Sequence, residues 1–411
     1  MATAAAWKTE IADTGYNEKA EKELVGRAKE LYPVILKGAE TCSDKGRLSD
    51  EVIDALTDAG FWDMALPRRW GGYGTSCRAM SLVGAELARA DPSVGWVYTV
   101  YHGSTWAASL TPDATQEALF GDGRKAVICA VANPPGKLEP VDGGYLLTGR
   151  WPYASGCYHA DWAQVGCNIH HPDGKVEHGG NAYVRMENVT IEETWHMIGM
   201  KGTGSNTISV DKVFIPHAQF DFVAKNGMAN HYPGKRHVGE AQDYWPFMPF
   251  LRATAHCVVG GAALEILDRV TNAMHGRKIL YTTYNDQSQC VNAQAQLGEA
   301  AARIHAAIAV TLKNVDLVDE VGLTRQPLTA AQRALSKAEG SIAVDLLAQA
   351  VDKLMFLAGS SAFNDANHLQ RLYRDCVFGM RHTANLPYVG YEILGKALLG
   401  ITPNIAHPDF I

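Results

Sequence analysis

What this 411-residue chain lacks narrows its chemistry before any motif is read. Its eight cysteines include no C-x-x-C pair, and Cys157 and Cys167 stand apart from any His/Cys set spaced for zinc. No metal site is therefore expected, and the thiols read as reduced. No basic stripe offsets the formal net charge of −7, which argues against nucleic acid as a partner. The short clusters Pro67-Arg68-Arg69 and Gly234-Lys235-Arg236 read as solvated loops. The start, MATAAAWKTEIAD, has no basic segment followed by an apolar one, so no secretory signal is expected. No apolar run approaches the length of a membrane span. There is no G-x-G-x-x-G after a strand, no Walker motif and no H-E-x-x-H, so nucleotide-fold and zinc-protease signatures are missing. These absences predict a soluble, cytoplasmic protein with no membrane partner.

Length calls for two or three domains, and the hydrophobic periodicity divides the chain into three. Residues 1–124 read as an N-terminal α-helical domain. Its helices are Glu21–Thr41, a second opened by Ser49-Asp50-Glu51 and stopped at Gly60, a third over Ser76–Ala90, and a fourth opened by Pro92-Ser93. LPRRWGGYG is a loop between them. Residues 125–235 carry short β-rich runs such as AVICAV, GYLLTGRWPYA and TISVDKVFI, punctuated by Pro-Pro-Gly, Asp-Gly-Gly and Lys-Gly-Thr-Gly, the pattern of a small barrel or sandwich. Residues 236–411 return to long apolar-striped segments, Ala253–Ala273, Ser288–Leu317, Thr329–Leu357 and His368–Leu399, which make a four-helix bundle. Within the β-rich part, GRWPYASGCYHADW sets Trp151, Tyr153, Tyr158 and Trp162 around the turn Ser155-Gly156-Cys157. It reads either as a strand and turn packed by aromatics or as the wall of a flat, polar-edged ligand such as a flavin.

Four motifs in order give this layout a family likeness. GFWDMALPRRWGGYG resembles the Gly-Leu-x-x-x-x-x-Pro-Glu-x-x-Gly-Gly-x-Gly loop of the acyl-CoA dehydrogenase superfamily, and LLTGRWPYASG resembles its Leu-x-Gly-x-Lys-x-Trp-Ile-Thr-Asn. GMKGTGSNTISVDKVFIP resembles its Gly-x-Arg-Gly-(Ser/Thr) stretch and following strand, and HLQRLYRD its Glu-Arg-x-Tyr-Arg-Asp. The resemblance runs from about Ser49 to Asp375 and implies a mainly α fold with a central β-barrel domain and a C-terminal four-helix bundle. Departures from the pattern point to one branch. His382 and Thr383 stand where short- and medium-chain dehydrogenases have Tyr and the Glu base, and Thr383 cannot abstract an α-proton. The chain thus resembles the flavin-dependent monooxygenases of this fold, the oxygenase halves of two-component systems.

That likeness implies reduced FMN delivered by a separate flavin reductase, dioxygen, a C4a-hydroperoxide on the flavin, and hydroxylation of a phenolic or fused-ring aromatic. FAD is the alternative cofactor. Rival functions are an FAD-dependent acyl-CoA dehydrogenase with a relocated base, an N- or S-oxygenase, and a non-catalytic flavin-fold binding protein. Ser155 takes the place of the family's Thr near flavin N5, where a hydroxyl can accept from N5–H; a strand-end Ser bonded to its own backbone is the other reading. His382 is placed beside C4a, or else caps a turn. His102, on an apolar helix with Trp96, Tyr101 and Trp106, would hydrogen-bond a phenolate, or else is a core histidine. Tyr158 joins Trp96, Tyr101, His102 and Trp106 as a substrate contact, and Tyr153, Asn133, Thr203 and Ser205 join Ser155 as flavin contacts. Arg277 matches an Arg that reaches a flavin phosphate, often across a subunit boundary, and Ser360 and Ser361 suit a phosphate in place of Gly-Gly-x-Gly. A homotetramer is the family expectation.

Overall fold

The computed structural model describes residues 16–123, 126–222, 239–402 and 404–405. The domain boundaries expected near 125 and 235 lie outside these described residues. The expected first helix is two, α1 (Glu18–Glu30) and α2 (Tyr32–Lys45). Pro33 has no N–H to continue α1, but in the first turn of a new helix that loss costs nothing. Ser49 caps α3 (Asp50–Asp58) by accepting from Val52 N, and Ser76 caps α4 (Cys77–Ala90) in the same way. Asp91 caps α5 (Pro92–Ser109), whose residues are almost all buried. A short α6 (Asp113–Phe120), not foreseen, closes this part.

Seven strands follow: β1 (Ile128–Val141), β2 (Gly144–Ala154), β3 (Trp162–His170), β4 (Val176–Arg185), β5 (Thr190–Glu192), β6 (Asn206–Pro216) and β7 (Phe220–Asp221). They form one sheet in the order β5-β6-β2-β1-β3-β4-β7, antiparallel except where β1 meets β3. Among the described residues no pairing joins the edge strands β5 and β7, so the predicted barrel is a single open sheet. The sheet shares one apolar core with helices α1 to α5, including Leu24, Val83, Trp151 and Val165. Helical and β domains are therefore one packed body, because the inner face of the sheet has no second sheet to cover it.

The last part is built from α7 (Phe247–Met274), α8 (Val291–Thr324), α9 (Ala330–Ala358), α10 (His368–Met380) and α11 (Pro387–Leu398), around a second core of small and branched residues. Thr329 and Gln332 form a reciprocal capping box that starts α9. The segment His368–Leu399, expected as one helix, breaks into α10 and α11 at the turn holding His382. Contrary to the sequence expectation, α7 is long and apolar enough to cross a membrane, but most of its apolar stretch is buried in the bundle. Arg69 also departs from expectation. Rather than facing solvent, it is buried against Glu240 and Asp243, with contacts of 3.3 and 2.9 Å, and ties the first part to the bundle. Gly234-Lys235-Arg236 lies outside the described residues. All eight cysteines are unpaired, and all but Cys290 are buried.

Candidate active site

Three hydroxyls line up where the sheet meets the bundle. Thr203 Oγ1 lies 2.8 Å from the carbonyl of Met200, Ser205 Oγ lies 2.6 Å from Thr203, and Ser155 Oγ lies 2.7 Å from Ser205. A carbonyl can only accept, so the Thr203 proton points at Met200. Ser205 must then donate to Thr203, and Ser155 must donate to Ser205. The relay ends with Ser155 presenting lone pairs and no proton. Of the expected flavin contacts Thr203 and Ser205, Thr203 bonds Ser205 and Ser205 bonds Ser155, so together they set the orientation of Ser155. Ser155 is thus not satisfied by its own backbone through its hydroxyl.

The turn carrying Ser155 is held from beneath. Tyr101 donates to the carbonyl of Gly156 at 2.5 Å, and Gly156 N donates to Thr203 O at 2.8 Å. Gly156 adopts φ +78°, and a Cβ there would sit 2.6 Å from the Tyr101 hydroxyl. Gly156→Ala is expected to destabilise the protein by about 2–3 kcal/mol through strain and overlap, read as a lower denaturation midpoint. Tyr101, expected among the substrate contacts, is therefore a support of the turn. Tyr153 also has positive φ (67°), and the residue is 59% exposed beside the turn. It stands edge-on to Trp195 at 5.6 Å, which stands edge-on to Phe378 at 5.7 Å. These rings form an aromatic wall from sheet to bundle. Trp151 and Trp162 instead pack in the interior, and the half-buried Tyr158 lies beneath Arg47 and against Gly204, so the aromatics of the turn face several ways.

On the bundle side His382 stands at the break between α10 and α11. Its Nδ1 accepts from Ala384 N at 3.3 Å, which leaves the proton on Nε2. Its ring opens to solvent yet is crowded enough that desolvation lowers its pKa, favouring a neutral donor. Trp96 meets it at 5.3 Å, edge to face. Met200 connects the two sides. Its carbonyl terminates the hydroxyl relay, its N–H donates to Asp375 at 2.6 Å, and its side chain lies beside Gly379, whose carbonyl accepts from His382 N.

His102 does not reach this cleft. Its Nδ1 and Nε2 face the carbonyls of Tyr98 (2.6 Å) and Phe61 (2.9 Å) in the interior, and burial takes its pKa to about 4. With both nitrogens against main chain, it is the core histidine of the alternative reading. Trp106 is likewise a core residue, donating to Gln242 O and packing on Trp245 and Phe250. Asn133 is exposed where β1 shifts register. Arg277, Ser360 and Ser361 come together at one end of the bundle: Arg277 Nη1 donates to Leu357 O at 3.2 Å, and its guanidinium lies beside Gly359. The described contacts do not join them to Ser155. Sequence reasoning missed Trp195 and Phe378, which carry no motif, and Asp375, quoted only within a motif.

Residues 21–118 match the family described as Acyl-CoA dehydrogenase, N-terminal domain, and residues 253–387 match Acyl-CoA dehydrogenase, C-terminal domain. The chain belongs to the acyl-CoA dehydrogenase superfamily. Within it the chain sits with the oxygenase components of flavin-dependent monooxygenases. It is 29% identical over 401 residues to the flavin-dependent monooxygenase, oxygenase subunit HsaA, of Mycobacterium tuberculosis, covering 95% of this chain and 98% of that one. It is also 29% identical over 398 residues to the FADH(2)-dependent resorcinol hydroxylase, oxygenase component, of a Rhizobium species, covering 94% and 96%. Among solved structures, XiaF from a Streptomyces species in complex with FADH2 and glycerol superposes with a TM-score of 0.90 at 27% identity, covering 95% of this chain and 98% of that one.

Proposed function

We infer that the protein is the oxygenase component of a two-component, reduced-flavin-dependent monooxygenase that hydroxylates an aromatic substrate. The orientation of the hydroxyl relay carries this reading. Reduced flavin bears a proton on N5, and a hydroxyl that offers only lone pairs is made to accept it; the residues present fit the cofactor. When bound, that cofactor supplies two electrons and two protons, so that one oxygen atom of O2 enters the substrate and the other leaves as water. Ser155 holds the flavin edge, Tyr153 and Trp195 wall off water, and His382 offers its Nε2–H toward developing negative charge. Thr383 supplies no base for thioester chemistry, which disfavours the dehydrogenase alternative.

FMN is the proposed form of the cofactor, because Arg277 with Ser360 and Ser361 suits a single phosphate group and no adenine anchor is evident in their motif. In the family such residues often act across a subunit boundary. A homotetramer is therefore part of the proposal, supported by exposed apolar side chains on the bundle, among them Leu280, Tyr281, Phe356, Leu398 and Leu399. A cytoplasmic setting is proposed on the unpaired cysteines.

The test mixes the protein anaerobically with photoreduced FMN and an aromatic substrate, then admits oxygen. The reading expects reduced FMN to bind and His382→Ala to lose about 100-fold in product formed per flavin oxidised while still binding it. Unchanged coupling removes His382 from the mechanism. No flavin binding favours a binding protein, and anaerobic bleaching of FAD by an acyl-CoA favours the dehydrogenase.

A further inference from the structure

Behind His382 lies a group of basic side chains with no acid among them. Arg252, on α7, is 4% exposed, and neither Nη1 nor Nη2 meets an acceptor among the described residues. One turn further on, His256 Nε2 bonds Asn385 Oδ1 at 2.9 Å, while Asn385 Nδ2 donates to Gly379 O at 3.2 Å. That second bond fixes the amide and puts the imidazole proton on Nε2. Asn385 N donates to the carbonyl of His382 at 2.8 Å, so the group is directly joined to the catalytic turn. Lys337, on α9, is buried on the same side, and no partner holds it among the described residues.

The charges are not balanced. Burial holds Lys337 down to about 8, with the charge of Arg252 adding to the effect, and burial holds Arg252 down to about 10. His256 is taken to about 4 by burial, and the nearby positive charges of Arg252 and Lys337 push it the same way. At neutral pH two cations therefore remain in the interior of a chain whose net charge is −7. Such an arrangement is costly for the ligand-free fold, and it is relieved when an anion arrives. The guanidinium fork matches a carboxylate in two parallel hydrogen bonds, and the ammonium adds a point charge.

We propose that Arg252 and Lys337 form a subsite for a carboxylate carried by the aromatic substrate, with His256 and Asn385 positioning it behind His382. This deepens the monooxygenase reading and rests on it for the location of the ring. His256 is a positioning residue, since its proton is spent on Asn385. The subsite makes the enzyme selective for aromatic acids over their neutral counterparts.

The experiment measures equilibrium binding of 4-hydroxyphenylacetate and of its methyl ester to the full-length protein loaded anaerobically with reduced FMN. The acid is expected to bind about 10- to 100-fold more tightly than the ester, the gain of a charge-assisted pair. Arg252→Met and Lys337→Met should each remove most of that preference and leave reduced-FMN binding unchanged. In the ligand-free state Arg252→Met should raise the Tm, because an unpaired buried charge has gone. Equal binding of acid and ester overturns the proposal, as does an Arg252→Met variant that binds reduced FMN and keeps the preference. A lowered Tm would make Arg252 a structural buttress and also overturns it. Failure of the wild type to bind reduced FMN at all defeats the monooxygenase reading itself, a different result from flavin bound and acid and ester alike.

Discussion

In a Ser155→Ala variant, most of the oxygen consumed should appear as hydrogen peroxide, with product yield per reduced flavin falling about tenfold or more. The reason is the end of the relay. Met200 O fixes the proton of Thr203, Thr203 fixes that of Ser205, and Ser205 fixes that of Ser155, so a single acceptor is left for the flavin edge. Alanine removes it and nothing nearby replaces it. Thr203→Val separates this account from simple loss of a contact. Valine has nearly the same shape but cannot donate to Met200 or accept from Ser205, so the proton of Ser205 is free to turn toward Ser155. Ser155 can then donate, as oxidised flavin requires. The ratio of Kd values for oxidised and reduced FMN should shrink by about tenfold in Thr203→Val, although the substitution lies one residue layer away from the ligand. An unchanged ratio would show that the relay does not set the direction of the Ser155 proton.

The second large effect concerns Asp375, whose Oδ1 accepts from Met200 N and whose Oδ2 lies 3.5 Å from Ser93 Oγ. Asp375→Ala leaves a buried N–H without a partner and should cost about 2–3 kcal/mol in denaturant unfolding. Asp375→Asn keeps an acceptor and isolates the electrostatics. Burial first, and the nearby Asp91 carboxylate second, push Asp375 up to about 7; burial pushes Asp91 to about 6. A carboxyl with a raised pKa keeps its proton in the native state at pH values where the unfolded chain has released it. The native state binds more protons, so stability falls as pH rises from the ordinary carboxyl range to about 7 and is level above it. Asp375→Asn should flatten that slope and gain stability relative to wild type at pH 8. Part of the slope should persist, because burial also raises Asp221 and Asp319 to about 7. Identical slopes in the two proteins would mean that Asp375 titrates normally.

Helix starts with a polar cap were legible in the sequence. Ser49, Ser76 and Thr329 each sit where their helices begin, since a side-chain oxygen that satisfies a free backbone N–H leaves a local signal. One break was overlooked. The single helix expected over His368–Leu399 divides at the His382 turn, where Pro387 opens α11 and is the local signal, while Asn385 packs against His256 and Gly379. In the site, Ser155 and His382 stood out through their places in motifs. His102 misled because an apolar helix with one imidazole looks the same whether the ring faces a ligand or two carbonyls. The direction of the hydroxyl relay could not be read at all, for it depends on which of three oxygens, the outer two 50 positions apart with three strands between them, happens to face a carbonyl. Arg252 left a trace: a guanidinium within FLRATAHCVVGG is out of place on a buried helix unless something answers its charge.

The concealed sulfur atoms bear on how long the enzyme survives its own work. Turnover that miscarries releases an oxidant within the protein that made it. Thiolates, not thiols, are attacked, and burial pushes the Cys42, Cys77, Cys129, Cys157, Cys167, Cys257 and Cys376 thiols upward, away from the reactive form. Only Cys290 is left within partial reach of solvent. Self-inflicted thiol oxidation is thereby directed to one position at the margin of the bundle, away from the packed interior.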